Sequence, residues 1–210
     1  MVLLAGLVFA VPYVRSAPVG VSGGLDLGWL VGGNGSSYRS GFGERIAAGY
    51  SLANTTEILL SLDHSHHVLD DAGGYFPGFD PPPSALGGGR DVIGLCGGVR
   101  VAIDRVDEWS IPAERPRVYP YGAVQVGVAF TRTTIQAPAF SGPVVLQSVS
   151  AVPTIAVGVG AELRFSRVVS ALPHLEAKAL LAEDVGEVDG MRRWGAELRI
   201  APGLDIRVGF

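Results

Sequence analysis

At 210 residues the chain fits one domain, and its formal charge of −4 carries no basic patch, which argues against a nucleic-acid partner. Mean hydropathy is high at +0.34, yet past the N-terminal segment no run of about 18 uncharged apolar residues occurs, so a membrane helix is excluded. Cys96 is the single cysteine, which leaves no disulfide framework and no thiolate metal cluster and suits a small wall residue.

The chain opens on the apolar run Val2–Val11, followed by Pro-Tyr-Val-Arg-Ser-Ala. This resembles the hydrophobic core of a secretory signal, with small-residue cleavage sites after Ala10 or Ala17, although no Lys or Arg precedes it. Residues 1–17 are therefore expected to be an export signal and 18–210 the domain. Val19 to Val31 then alternates, with Val19, Val21, Leu25, Leu27, Trp29 and Val31 on one face and Gly20, Ser22, Asp26 and Gly28 on the other. Period-two alternation belongs to a strand. After a Gly/Asn/Ser loop, a second strand sets Phe42, Ile46, Ala48, Tyr50 and Leu52 against Arg45, Ala47 and Ser51, with Glu44 breaking the pattern on the apolar side.

A tight turn at Ala53-Asn54 leads to a third strand, with Ile58, Leu60 and Leu62 opposite Glu57, Ser61 and Asp63. Residues 64–90 read as a long loop rich in Gly, Pro and Asp. The fourth strand carries Ile93, Leu95, Val99, Val101 and Ile103, and 104–117 reads as a polar connection. Val124, Val126, Val128 and Phe130 mark a fifth strand, 133–146 a loop, and Ile155 to Phe165 a sixth. Residues 167–172 read as a turn, His174 to Leu181 as a seventh strand, and 183–190 as a short acidic loop. The eighth strand, Trp194 to Phe210, keeps one apolar parity without a break: Trp194, Leu198, Ile200, Leu204, Ile206, Val208, Phe210. Ala201-Pro202-Gly203-Leu204 could form a type II turn, but parity continues through it and nine strands would violate the even count of bacterial barrels. Pro120 and Pro153 likewise fall within expected strands.

Eight strands joined alternately by longer loops and compact turns, with aromatics at the ends of the apolar faces, resemble the small outer-membrane β-barrels of the OmpA, OmpX and OmpW kind and the wider porin-like family. The resemblance rests on pattern and the terminal Phe over Val19–Phe210, not on a diagnostic motif. It implies an all-β, eight-stranded antiparallel up-and-down transmembrane barrel in a bacterial outer membrane, lipid as its surroundings, and recognition of Phe210 by the barrel-insertion machinery. Aromatic girdles are expected from Trp29, Phe42, Phe130 and Trp194 at the loop end and Tyr50, Phe165 and Phe210 at the turn end. A soluble barrel would also alternate. Its water-facing side, however, should be rich in Lys, Glu, Thr and Ser, and here that side is mostly Gly and Ala with occasional charges. Small residues suit the cramped lumen of an eight-stranded barrel.

The charges on that face come as neighbours of opposite sign: Glu162/Arg164, Glu176/Lys178, Glu197/Arg199 and Asp205/Arg207. Such pairs suit a lumen network in which each ion must be neutralised. Chemistry is otherwise thin. His64-Ser65-His66-His67, with Asp70 and Asp71 downstream, contains a metal-capable His-x-His face, though a solvated loop root explains it as well. Asp63, His64 and Ser65 are the only nearby ingredients of a hydrolase triad, and their spacing matches no such family. His174 is expected near the turn-end mouth beside Glu176. Tyr75, Phe76 and Phe79, set among prolines in the 64–90 loop, offer a binding surface for an extracellular ligand or a lid over the mouth. These observations point to a structural or loop-mediated binding role without a wide channel, cofactor, metal or catalytic centre. An OmpW-like conduit for small apolar molecules is the alternative reading, and a barrel-embedded lipid A-modifying hydrolase a third.

Overall fold

A computed structural model describes residues 19–31, 38, 40–52, 55–69, 87–103, 117–137, 142, 144–166, 168–184 and 193–210. Eight strands run in chain order: β1 (Val19–Val31), β2 (Gly41–Ser51), β3 (Thr56–Val68), β4 (Gly87–Ala102), β5 (Arg117–Ala137), β6 (Val144–Arg164), β7 (Val169–Asp184) and β8 (Arg193–Gly209). Each pairs antiparallel with its sequence neighbours, and β1 pairs with β8, closing the barrel. The seam is tied by pairs such as Val21 with Val208, and by Phe210 N–H donating to the Val19 carbonyl at 2.8 Å. Closure removes the unpaired edges that an open sheet would present to hydrocarbon.

Alternation has the sense the sequence requires. On β1 the exposure pattern switches at nearly every residue, with Val21, Leu25, Leu27 and Trp29 outward and Ser22, Asp26 and Leu30 buried. On β8 Leu198, Leu204, Ile206 and Val208 face out, while Glu197, Arg199, Asp205 and Arg207 are buried. Outward residues such as Ile46, Leu60 and Val126 are about 60% exposed (62%, 58% and 59%). A belt of aliphatic side chains around the whole barrel far exceeds the few hundred Å² of contiguous apolar surface a soluble monomer tolerates. With charges inside and aliphatics outside, lipid is the solvent this surface fits.

Several strands run further than their alternation suggests. β3 continues through His64–Val68 and β4 begins at Gly87, so both ends of the expected 64–90 loop are strand. The expected 133–146 loop is mostly the β5–β6 hairpin, and the 167–172 turn contracts to 165–168. Polar or small residues at these ends break the apolar pattern where strands leave the membrane, yet backbone pairing continues. β8 is a single strand: Pro202 pairs with Leu175, so no turn splits it. Pro120 and Pro153 also sit inside strands, opposite Ala161 and Val128. Residues 1–17 and the tip aromatics Tyr75, Phe76 and Phe79, with Asp70 and Asp71, lie outside the described residues.

Candidate functional site

Inward parity from seven of the eight strands gathers charge in the barrel, β5 contributing none among the described side chains. The described lumen side chains include seven carboxylates (Asp26, Glu57, Asp63, Glu162, Glu176, Glu197, Asp205) and seven cations (Arg45, Arg90, Arg100, Arg164, Lys178, Arg199, Arg207). The balance is physically necessary. A bare ion in so narrow a space loses its water, and only an opposite charge with hydrogen bonds offsets that loss.

The pairs form a ladder down the lumen. Nearest the loop end, Arg90 meets Glu197 at 2.6 Å, and Arg199 donates to Asp26. Lys178 Nζ donates to Asp63 Oδ1 at 2.6 Å, and Arg45 Nη2 to Glu176 Oε2 at 2.5 Å. Toward the turn end, Arg100 and Arg207 share Glu57, each at 2.5 Å. Arg207 also reaches Glu162 at 3.8 Å, and Glu162 binds Arg164 at 3.2 Å. Six of the seven cations are arginines, whose planar fork can hold two acceptors at once.

Apolar clusters pack among these charges toward either end. Leu30, Tyr38, Val92, Ala129, Val152 and Leu180 form a buried cluster at the loop end, and Arg90 lies over the Tyr38 ring at 5.9 Å. Ala102, Tyr121 and Leu172 form a second cluster at the turn end, with Arg100 5.2 Å from the Tyr121 ring centre. Glycines make the space between. A Cβ at Gly28 would stand 2.7 Å from Arg199 Nε, at Gly94 2.7 Å from Asp63 Oδ1, and at Gly20 2.5 Å from Arg207 Nε. The richness in Gly, 30 residues in all, is thus partly the imprint of long charged side chains opposite. Arg199 Nε and Nη1, His174 Nε2 and Asp205 Oδ1 are buried without a protein partner, positions that ordered water can complete.

All eight charges singled out in the sequence lie in this lumen, but the pairing differs from their spacing. Neighbours two apart contribute Glu162–Arg164 at 3.2 Å and the longer Lys178–Glu176 contact at 3.9 Å. The short contacts instead join different strands: Arg100–Glu57 and Arg199–Asp26 link neighbours, whereas Lys178–Asp63, Arg45–Glu176, Arg90–Glu197 and Arg207–Glu57 span the bore. Asp26, Arg45, Glu57, Asp63, Arg90 and Arg100 complete the ladder and were not singled out. The available signal was that all but Arg90, which fell in an expected loop, share the inward parity of their strands. His174 lies on the inward face, with Nδ1 3.1 Å from the Leu172 carbonyl oxygen. Cys96 is buried in the wall. Trp29, Phe42, Tyr50, Phe165 and Phe210 are exposed on the outer face near strand ends, and Phe130 is exposed on the outer face within β5, which runs on to Ala137; the side chain of Trp194 lies outside the described residues.

The pleat also decides the histidine run. His64 and His66 face out, whereas Asp63, Ser65 and His67 are buried inside. That separates His64 from both neighbours a triad would need, and Asp63 is held by Lys178. Outside, His66 Nδ1 lies 2.7 Å from Asp91 Oδ1, and His64 Nδ1 lies 3.4 Å from Glu44 Oε1. Glu44, the exception on the apolar face of β2, therefore belongs to a polar patch on the outer rim across β2–β4. Among the described residues no group of three ligands is placed to hold a metal ion.

The fold and lumen together define a class: a transmembrane β-barrel whose interior is filled by paired side chains. No protein-family model and no curated protein matches the sequence. Among solved structures, the barrel is similar to Neisserial surface protein A (TM-score 0.53, 13% identity, 92% of this chain and 98% of that one). It is similar to OprG of Pseudomonas aeruginosa (0.53, 9% identity, 93% and 97%). It is also similar to Ail, the attachment invasion locus protein of Yersinia pestis, solved with the heparin analogue sucrose octasulfate (0.50, 12% identity, 90% and 97%). At these identities the likeness is one of fold.

The ladder makes a stability prediction. Arg199→Leu leaves Asp26, whose side chain is 3% exposed, as a buried carboxylate without its counter-charge, which should cost about 3–5 kcal/mol. Asp26→Leu added to it should recover part of the loss. Urea unfolding in detergent micelles reads both, and a loss below about 1 kcal/mol for the single variant would place the pair in solvent.

Proposed function

We propose that this chain is a bacterial outer-membrane protein that acts through its structure and its loop-end surface rather than by conducting solute. The observation that carries this reading is the filled lumen, where all seven described bases pair with six of the seven described acids and two apolar clusters pack among them. An eight-stranded barrel has an interior just wide enough for side chains, and here side chains occupy it from Tyr38 to Leu172. Outer-membrane residence is supported by the barrel class and by similarity of fold to proteins of Neisseria, Pseudomonas and Yersinia. Phe210, exposed at the closing seam, is the signal we assign to the insertion machinery.

A conduit for small apolar molecules would need an apolar passage, and the described lumen is charged along its middle. A hydrolase would need a nucleophile beside its base, and the pleat puts Ser65 and His64 on opposite sides of the wall. The sulfated ligand of the Ail complex is not transferred here, because the described outer rim mixes carboxylates and imidazoles instead of clustering Lys and Arg. An extracellular partner recognised through the loop end is the reading we adopt, and the 70–86 segment with Tyr75, Phe76 and Phe79 belongs to that end.

Two measurements check this. In planar bilayers the purified protein should show no sustained porin-sized conductance; steady openings in the wild type would refute the sealed lumen. Deleting Phe210 should leave refolding into detergent nearly intact, because one side chain at the membrane edge is worth less than the ~1.5–3 kcal/mol of a fully buried one. The same deletion should lower the amount in the cellular outer membrane, and equal amounts would remove Phe210 as the insertion signal.

A further inference from the structure

The hairpin of β5 and β6 holds the longest stretch among the described residues where this closed sheet opens. Both strands are 21 residues long, roughly 70 Å at about 3.3 Å per residue, whereas a membrane crossing takes about 9–11 residues. Pairing of β6 with β5 continues up to Val144 opposite Ala137. Pairing of β6 with β7 stops at Thr154 opposite Leu180. From Val144 to Pro153, therefore, one side of β6 has no ladder partner among the described residues: β7 runs on to Asp184 but pairs there only with β8, and alternate backbone N–H and C=O groups of β6 face outward from the sheet.

The character of this edge is unusual for an unpaired one. Val-Val-Leu-Gln-Ser-Val-Ser-Ala-Val, residues 144–152, holds no charge and no internal proline, and both are the ordinary devices that keep an edge from taking on another strand. Its described side chains stand clear on both faces up to Ala151, with Val145 55% and Val149 73% exposed. The hairpin is nonetheless held in shape, since Thr131 and Ser150 hydroxyls meet across it at 2.6 Å. Opposite Val149 lies Arg132, exposed on the same face and in no ion pair among the described residues.

We infer that this edge is a strand-addition site, on which an extended peptide segment of a partner protein pairs with residues 144–152. Backbone groups supply the pairing, and alternate side chains of the added strand lie beside Val145, Gln147, Val149 and Ala151. That face favours β-branched and hydroxyl residues. Arg132, one strand in from the edge, selects a segment that carries a carboxylate near its centre. A second copy fits poorly: two barrels standing the same way up in one membrane cannot bring their β6 edges antiparallel. The inference rests on the reading of the loop end as the binding end, and it gives that reading its recognition chemistry.

The test uses the full-length protein refolded in detergent micelles, with nonapeptides of alternating Thr and Val bearing a central Glu, Gln or Arg. Residue-resolved hydrogen exchange should find alternate amides of 144–152 fast in the free protein and slowed when the Glu peptide is added. Binding by fluorescence anisotropy should fall from Glu to Gln by about twofold to fivefold, the range of one exposed ion pair, and further to Arg. Arg132→Glu should reverse that order. Amides already protected without peptide would show the edge filled by the chain itself, and amides left fast by every peptide at millimolar concentration would show that it takes no strand; either overturns the site. Protection with no charge order would overturn the acidic segment as its occupant. None of these outcomes touches the bilayer conductance or the outer-membrane fraction, so failure here is distinguishable from failure of the proposed function.

Discussion

Everything in this barrel follows from where its ions can be put. The outer face must meet hydrocarbon, where a lipid-facing Arg or Lys at the midplane costs about 2–4 kcal/mol. Charges are thereby confined to a bore too narrow to keep each one hydrated, and every described lumen charge except Asp205 stands in an ion pair. Among the described residues seven acids stand with seven bases in the lumen, although the chain as a whole carries −4. The surplus negative charge therefore lies outside the lumen set, in part at the outer rim, where Glu44 and Asp91 sit among imidazoles.

From that confinement comes the composition of the walls. Charged side chains packed in the bore need small residues beside them: Gly20 and Gly28 make room for Arg207 and Arg199, and Gly94 for Asp63. Apolar clusters at Tyr38–Leu180 and Tyr121–Leu172 pack among the charges toward either end. A lower local dielectric strengthens each pair while raising the cost of any ion left alone. The lumen consequently behaves as one unit: removal of Arg207 would affect both Glu57 and Glu162, since it contacts both.

The fold was readable because a strand in a membrane barrel obeys a strict rule at every residue. Val19–Val31 and the eighth strand have the alternation the structure shows, and even Pro202 left the parity of β8 intact. The ends of β3, β5 and β6 were not readable, because above the membrane neither face must be apolar and only backbone pairing maintains the strand. Which charges meet was also hidden. Spacing along a strand reports a shared face, whereas Arg199 and Asp26 are 173 residues apart and meet only through closure and register. Glu44 looked like a fault in the second strand until register placed it opposite His64. The unpaired edge of β6 had no local sign at all, since it depends on where β7 ceases to pair with it.

The account stands on the inside-out assignment of the two strand faces, and a nitroxide scan along β8 tests it most directly. Single cysteines would be placed at successive positions from 196 to 208 in a Cys96→Ser background, with the protein in lipid bilayers. Contact with lipid-soluble oxygen should be high at the even positions, including 198, 204, 206 and 208, and low at 197, 199, 205 and 207. An inverted pattern, or the same accessibility at every position, would contradict the barrel described here.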